Sequence, residues 1–109
     1  HLAARACTLA ETALGAVRLT EIDSQGRLLP HAHPVATLYF CLSGQGELAL
    51  SGEPRPIGPD DHWIVPANGL HALRNPGHAP LRLLLMPVEP PVSPARRVRS
   101  RWRRWLPGR

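Results

Sequence analysis

The sequence of 109 residues contains no lysine and only two cysteines, Cys7 and Cys41, which are too far apart to form a Cys-x-x-Cys pair. The absence of lysine excludes a Schiff-base mechanism. Two isolated cysteines provide no disulfide framework, so we expect reduced thiols. No stretch approaches the roughly 18 consecutive apolar residues that span a bilayer, and the N-terminal residues do not follow a signal-peptide pattern. We therefore expect a soluble protein, with the cytoplasm as the default location.

Acidic residues are missing from the C-terminal end of the chain. Residues 96–109 contain seven Arg and no acidic residue, a net charge of +7, whereas residues 1–95 contain six Arg and all eight acidic residues, a net charge of −2. Any affinity for a polyanion is therefore expected from the C-terminal segment alone.

Proline and glycine are abundant, with 13 and nine residues respectively, and no helical apolar periodicity appears before residue 94. Short apolar runs separated by such turn residues are typical of an all-β sandwich or barrel. The hydrophobic content of 43% suits one core and hence one domain. The first dozen residues fit either a short helix or a strand. Strands are predicted over residues 16–22, 36–42, 47–51, 62–65, 70–74 and 81–86.

The chain divides into a β-barrel domain over residues 1–92 and an Arg- and Trp-rich helix over residues 93–109. The segment after Pro87 is too rich in proline to join a central strand, and Ser93 can cap the helix with Pro94 in its first turn. Its apolar face holds Val98, Trp102, Trp105 and Leu106. This helix could bind nucleic acid through phosphate contacts and stacking, or lie on an anionic membrane. We favour a third interpretation, in which its apolar face packs on the barrel or across a homodimer.

Histidine is the residue type that carries chemistry here. In a strand, residues i and i+2 point to the same side, so His31 and His33 can present both imidazoles to one cavity. His71 would provide a third imidazole if the sheet curls to bring it opposite. Imidazole suits divalent Zn, Cu, Fe and Ni, and three protein ligands leave positions open for water or substrate. The sequence therefore predicts one divalent transition metal ion bound by these three residues.

The segments around these histidines resemble the two sequence motifs of the cupin family. Residues 26–46 are similar to the first motif and residues 58–75 to the second. The residues that stand at the family spacing are His31, His33, Gly44, Pro66, His71 and Asn75. The resemblance implies a jelly-roll β-barrel, or double-stranded β-helix, with a mononuclear metal site inside it.

The chain departs from the family pattern at four places. Gly26 lies one residue closer to His31 than in the family, which a change in loop length can absorb. Asp60 stands where the second motif begins with Gly, and Asn68 replaces the Gly of its Pro-x-Gly; Asn tolerates a left-handed backbone. Thr37 occupies the position of the family's Glu ligand, so the site loses its anionic ligand.

The loss of the Glu changes the charge of the predicted site. Three neutral imidazoles leave a divalent ion at a formal charge of about +2, whereas an added carboxylate would leave about +1. Such a site should prefer a small anionic ligand such as a thiolate, enolate or carboxylate. The resemblance to three-His cupins implies a ferrous thiol or β-diketone dioxygenase, with a lyase or isomerase less favoured. The alternatives are a non-catalytic module that binds a metal or a small ligand, and a decayed site that binds no metal.

Two further residues are candidates for the site. Strand parity places Tyr39 and Cys41 on the same face as Thr37, so Thr37 and Tyr39 are candidates for substrate binding and Tyr39 for catalysis. Core packing is the better explanation for Tyr39 and Cys41, since barrel interiors are filled by side chains. The sequence identifies no general base. We expect His62 to be exposed or hydrogen-bonded rather than a ligand, and assign no role to His78.

Overall fold

The computed structural model describes residues 3–50 and 52–89, which form two antiparallel sheets. The strands are β1 (Ala4–Thr12), β2 (Gly15–Ile22), β3 (Arg27–His31), β4 (Thr37–Ser43), β5 (Gly46–Leu50), β6 (Arg55–Ile57), β7 (His62–Val65), β8 (His71–Arg74) and β9 (Leu81–Pro87). One sheet has the order β1-β2-β9-β4-β7 and the other β3-β8-β5-β6. The predicted helix over residues 93–109 and the domain boundary at residue 92 lie outside the described residues.

The core lies between the two sheets and follows the alternation of the strand sequences. In β9, Leu81, Leu83 and Leu85 are buried, and in β4 Tyr39 and Cys41 are fully buried. The register places Tyr39 beside Leu85 and Cys41 beside Leu83, so these residues share the inward face of the larger sheet. The four-stranded sheet faces them with Leu48, Ile57 and Leu73.

The structure confirms the all-β prediction and each of the six predicted strands to within one residue at either end. The N-terminal segment, which could have been a helix, forms β1 and pairs with β2 along its length. Two strands were not predicted, β3 and β6. Each contains a proline, Pro30 or Pro56, and each lies at an edge of the smaller sheet, where a missing backbone N–H costs no ladder hydrogen bond.

The left-handed turns explain two departures from the family pattern. Asn68 has φ of 63° and Asp60 has φ of 72°, so both adopt the backbone region for which glycine is otherwise the usual choice. Gly44 has φ of 89°, and a Cβ there would overlap the carbonyl oxygen of Pro80. The chain thus tolerates Asn or Asp where only the backbone angle matters, and keeps glycine where space is also lacking.

Asn75 fixes the turn between β8 and β9. Its side chain is buried, and its Nδ2 donates to the carbonyl oxygens of Ile22, at 3.0 Å, and Ala79, at 2.8 Å. Its Oδ1 accepts a hydrogen bond from the backbone N–H of Gly77. This residue of the second motif therefore has a structural role.

Both cysteines are free, as expected, with Cys7 exposed and Cys41 buried. Among the described residues, the structure contains no helix long and apolar enough to cross a bilayer. The cytoplasmic location stays a prediction.

Candidate metal centre

The side chains of His31, His33 and His71 converge at one place in the barrel. The potential ligand atoms of the three imidazoles all lie within 4.8 Å of one another. The ring centroids of His31 and His71 are 4.2 Å apart, and that of His33 lies 5.0 Å from His31 and 5.4 Å from His71. The structure therefore brings together the three residues that the sequence singled out.

Cross-strand pairing, and not parity along one strand, brings these residues together. His31 is the last residue of β3 and pairs directly with His71, the first residue of β8. The expectation that His31 and His33 share one strand is wrong, because β3 ends at His31 and His33 lies in the following loop. The carbonyl oxygen of His33 accepts a 2.6 Å hydrogen bond from the backbone N–H of Asn68, which ties this loop to the β7–β8 turn.

Backbone carbonyls orient two of the imidazoles. The Nδ1 of His31 lies 2.9 Å from the carbonyl oxygen of Leu29, and the Nδ1 of His71 lies 2.9 Å from that of Gly69. A carbonyl can only accept, so in each ring Nδ1 carries the proton and the lone pair of the neutral imidazole is at Nε2. Metal-bound histidines commonly donate their other ring N–H to such a carbonyl. Both rings are therefore held in the tautomer that a metal requires.

The hydroxyl of Tyr39 lies among the three imidazoles. Its oxygen is 2.6 Å from Nε2 of His71 and 3.2 Å from Nε2 of His33. Because Nε2 of His71 holds a lone pair, the phenol donates its proton there, and the phenol oxygen can then accept from His33. Tyr39 also stacks on Trp63, with ring centroids 5.3 Å apart. Core packing was favoured for Tyr39, and its ring is indeed in the core, but its hydroxyl belongs to the site.

Burial keeps these groups neutral. It is the main cause that lowers the pKa of His33 and of His71. The positive charge that His31 would carry lowers both further, and the charge of Arg18 also lowers the pKa of His33, whereas the bond to Gly69 raises that of His71. Burial raises the pKa of the Tyr39 phenol. The site therefore offers several neutral imidazole nitrogens that can bind a metal through their lone pairs.

These donors fit a divalent transition metal ion. With Zn–N bonds of about 2.1 Å, two nitrogens on one tetrahedral ion lie roughly 3.4 Å apart. Since the ligand atoms lie within 4.8 Å of one another, shifts of about 1 Å or less would close the three imidazoles on one ion. That closure requires the Tyr39 proton to leave the lone pair of His71.

Thr37 lies beside His33, but its hydroxyl already donates a hydrogen bond to the backbone. The side chain is buried, and Oγ1 donates to the carbonyl oxygen of Val35 at 3.0 Å. Thr37 and His33 together line a cavity of about 230 Å³. A larger cavity of about 410 Å³ lies elsewhere and is lined by none of the three histidines.

The other singled-out residues are outside the cluster, as expected. His62 is exposed, lies 3.1 Å through Nδ1 from the carbonyl oxygen of Asp60 and stacks on Phe40. Cys41 is buried in the core, with its thiol directed to the carbonyl oxygens of Ser43 and Gly44, and burial is the main cause that raises its pKa. His78 is exposed.

Sequence reasoning missed Arg18, which lines the same cavity as His33 and Thr37. The alternation of residues in β2 could have identified Arg18. Thr20 and Ile22 are the buried residues of β2, and strand parity places Arg18 on their face.

Comparison with known proteins agrees with this architecture. The family profile described as "Cupin domain" matches residues 18–87. A cupin superfamily protein of Desulfitobacterium hafniense is similar in structure, with a TM-score of 0.71 at 18% identity over 80% of this chain and 78% of that one. A Thermotoga maritima protein described as a predicted oxalate decarboxylase has a TM-score of 0.70 at 18% identity over 75% of this chain and 76% of its own.

The DMSP lyase DddQ of Ruegeria pomeroyi is similar in structure too, with a TM-score of 0.67 at 24% identity over 83% of this chain and 49% of the lyase. A comparison with curated protein sequences finds no match. At these identities the structural likeness concerns the fold alone.

Proposed function

The chain belongs to the cupin family, and we propose that it binds one divalent transition metal ion through His31, His33 and His71 and a small anionic ligand at the open positions of that ion. The convergence of the three imidazoles carries this proposal. The carbonyl bonds that leave Nε2 of His31 and His71 as lone-pair donors support it. No carboxylate belongs to the cluster of described residues, so the anionic ligand supplies the negative charge that the site lacks.

The specific activity we propose is that of a dioxygenase-like metalloenzyme. A bound divalent metal would supply Lewis acidity and, if it is iron, redox chemistry toward dioxygen. The protein holds the imidazoles of His31 and His71 in their tautomers. It also offers the phenol proton of the buried Tyr39 next to His71. The raised pKa of that phenol makes it a hydrogen-bond donor at neutral pH and not a base.

A non-catalytic module that binds a metal or a small ligand is the second candidate. It is favoured by the absence of an ionised general base in the cluster. The structurally similar proteins do not decide between the two, because their names include a decarboxylase and a lyase, and one fold hosts many chemistries. Oxalate, named for one of them, is a small dianion of the kind this site should attract.

Metal analysis tests the proposal directly. Protein purified without chelator should contain one metal ion per chain by elemental analysis, and protein stripped with chelator should bind one Zn²⁺ or Fe²⁺. Alanine at His31, His33 or His71 should weaken that binding at least about a hundredfold, because a ligand costs more than the 10- to 100-fold of a group that only orients one. His62→Ala, an exposed histidine outside the cluster, is the matched control and should bind as the wild type does.

The metal that is found distinguishes the two candidates. Native iron, with oxygen consumption in the presence of small thiols or diketones, would support the dioxygenase. Zinc or nickel without such activity would support a lyase, an isomerase or the binding module. Failure of the wild type to bind any of these metals would contradict the proposal. The predicted homodimer and any binding of nucleic acid or membrane by residues 93–109 stay predictions.

A further inference from the structure

The cavity beside His33 is lined by an exposed arginine, Arg18. Arg18 pairs with Leu85 across β2 and β9, and Leu85 pairs with Tyr39 across β9 and β4. Residues directly opposite in a sheet point to the same face. Leu85 and Tyr39 are buried on that face, so Arg18 lies on the same side of the sheet. Arg18 is itself exposed, and its guanidinium is therefore accessible to solvent and to a ligand.

Within the part of the chain that the structure describes, the arginines differ in whether their guanidinium groups are paired. Arg5, Arg74 and Arg82 each form an ion pair with a glutamate, at Glu21 or Glu47. Within residues 3–50 and 52–89, by contrast, no hydrogen bond or ion pair is made by the Arg18 side chain. Its five N–H donors are therefore available to a ligand.

The cavity connects this arginine with the metal centre. It is lined by Arg18 on one side and by His33 and Thr37 on another, with Leu85 and Pro87 of β9 between them. No acidic residue lines it. The cavity is thus electropositive and adjoins the imidazole cluster at His33.

The size of the cavity limits its ligand. Its volume of about 230 Å³ is below the roughly 300 to 1,000 Å³ of pockets for drug-sized molecules. A planar guanidinium recognises a carboxylate through two parallel hydrogen bonds. The fitting ligand is therefore a small molecule with a carboxylate at one end and a metal-binding group at the other.

We propose that Arg18 binds the carboxylate of a small bifunctional anion whose other end reaches the metal held by His31, His33 and His71. This inference rests on the proposed metal site and adds the substrate class and the residue that selects it. It makes Arg18 a ligand-binding residue.

Isothermal titration of zinc-loaded full-length protein with matched ligands tests the inference. The probes are malonate, succinate and glutarate, each compared with its monoamide, which keeps the shape but removes one carboxylate. At least one dicarboxylate should bind the wild type about tenfold more tightly than its monoamide, the order expected for a charge-assisted hydrogen bond. A dicarboxylate has two equivalent ends and its monoamide has one, which by itself accounts for only a twofold difference in affinity.

Substitution of the arginine should remove that preference. Arg18→Gln should reduce the difference to about twofold, while Arg55→Gln, an exposed arginine without an ion pair on β6, should keep it. Zinc affinity should not fall in either variant. Arg18→Leu should also lose the preference, yet fold with a melting temperature close to that of the wild type, because Arg18 is exposed and forms no ion pair within the described residues.

The possible results separate this inference from the metal proposal. If the wild type fails to bind zinc, the proposed function fails and this inference fails with it. If zinc binds but no dicarboxylate binds, or if Arg18→Gln keeps the preference, the inference alone is overturned. A preference lost equally in Arg55→Gln would show a general charge effect and would also overturn it.

Discussion

The hydroxyl of Tyr39 should oppose metal binding, and removing it should tighten that binding. In the metal-free protein the phenol donates a 2.6 Å hydrogen bond to Nε2 of His71, the same lone pair that a metal would use. A metal ion must therefore break this bond before His71 can coordinate it. Tyr39→Phe removes the hydroxyl and keeps the ring that stacks on Trp63, so the variant should retain the packing of the core.

The magnitude follows from burial. His71 is 1% exposed and Tyr39 is 0% exposed, so water cannot replace the lost donor. An acceptor left buried without a partner costs about 1 to 3 kcal/mol. The metal-free variant should be less stable by that amount, and each kcal/mol corresponds to roughly 4 to 8 °C in the melting temperature of a domain of this size.

The stability that Tyr39→Phe loses without metal should be matched by an equal gain in the free energy of metal binding. In Tyr39→Phe the metal satisfies a lone pair that is otherwise unpaired, whereas in the wild type it replaces a hydrogen bond. By linkage, 1 to 3 kcal/mol corresponds to an increase in affinity of about five- to 150-fold. With saturating zinc, the two proteins should therefore differ in stability much less than they do in chelator.

Two measurements check this prediction. Thermal unfolding is recorded in chelator and in excess Zn²⁺, and zinc affinity is measured by competition with a chromophoric chelator. Thr37→Val is the matched control, because it removes another buried hydroxyl from the inward face of β4 whose hydrogen bond goes to Val35 and not to a histidine. The control should lose stability without gaining zinc affinity. A fall in zinc affinity in Tyr39→Phe would refute the reasoning and assign the phenol to holding the metal or its bound water.

Two further substitutions test other parts of the argument. Thr37→Glu adds a negative charge beside His33, so it should keep or tighten zinc binding and weaken succinate binding by about tenfold; equal succinate affinities by titration calorimetry would show that site charge does not select the ligand. Asn75→Ala removes the three hydrogen bonds made by a buried side chain and should cost about 2 to 4 kcal/mol in urea unfolding. A loss below about 1 kcal/mol would contradict the structural role given to Asn75.

Much of the fold could be predicted because six strands combine inward alternation with turn residues at both ends. β9 shows this most clearly, with Leu81, Leu83 and Leu85 all buried. β1 could not be assigned because almost all of its side chains are exposed, so no burial pattern marks it. It is a strand because β2 offers it a pairing edge, which is a tertiary effect that local propensity does not contain.

The candidate site could be predicted in its residues but not in its geometry. Motif spacing identified His31, His33 and His71, but strand parity gave the wrong reason for the first two, since β3 ends at His31. The pairing of His31 with His71 depends on the register between two strands far apart in sequence and on the irregularity between Leu28 and His31. Parity also placed Tyr39 inward, but the distance from its hydroxyl to His71 is a property of the folded barrel.

Two residues of this chain, in different strands, both make the charge of the site more positive. Thr37 on β4 stands where the family has a Glu ligand, which removes a negative charge, and Arg18 on β2 adds a positive one in the same cavity. A compensating carboxylate is found neither in the cavity lining nor in the cluster of described residues. Relative to three imidazoles and a carboxylate, the pocket with a divalent metal is therefore more positive by two charges. The cationic lining at Arg18 and the neutral hydroxyl at Thr37 therefore both favour an anion as the ligand of this pocket.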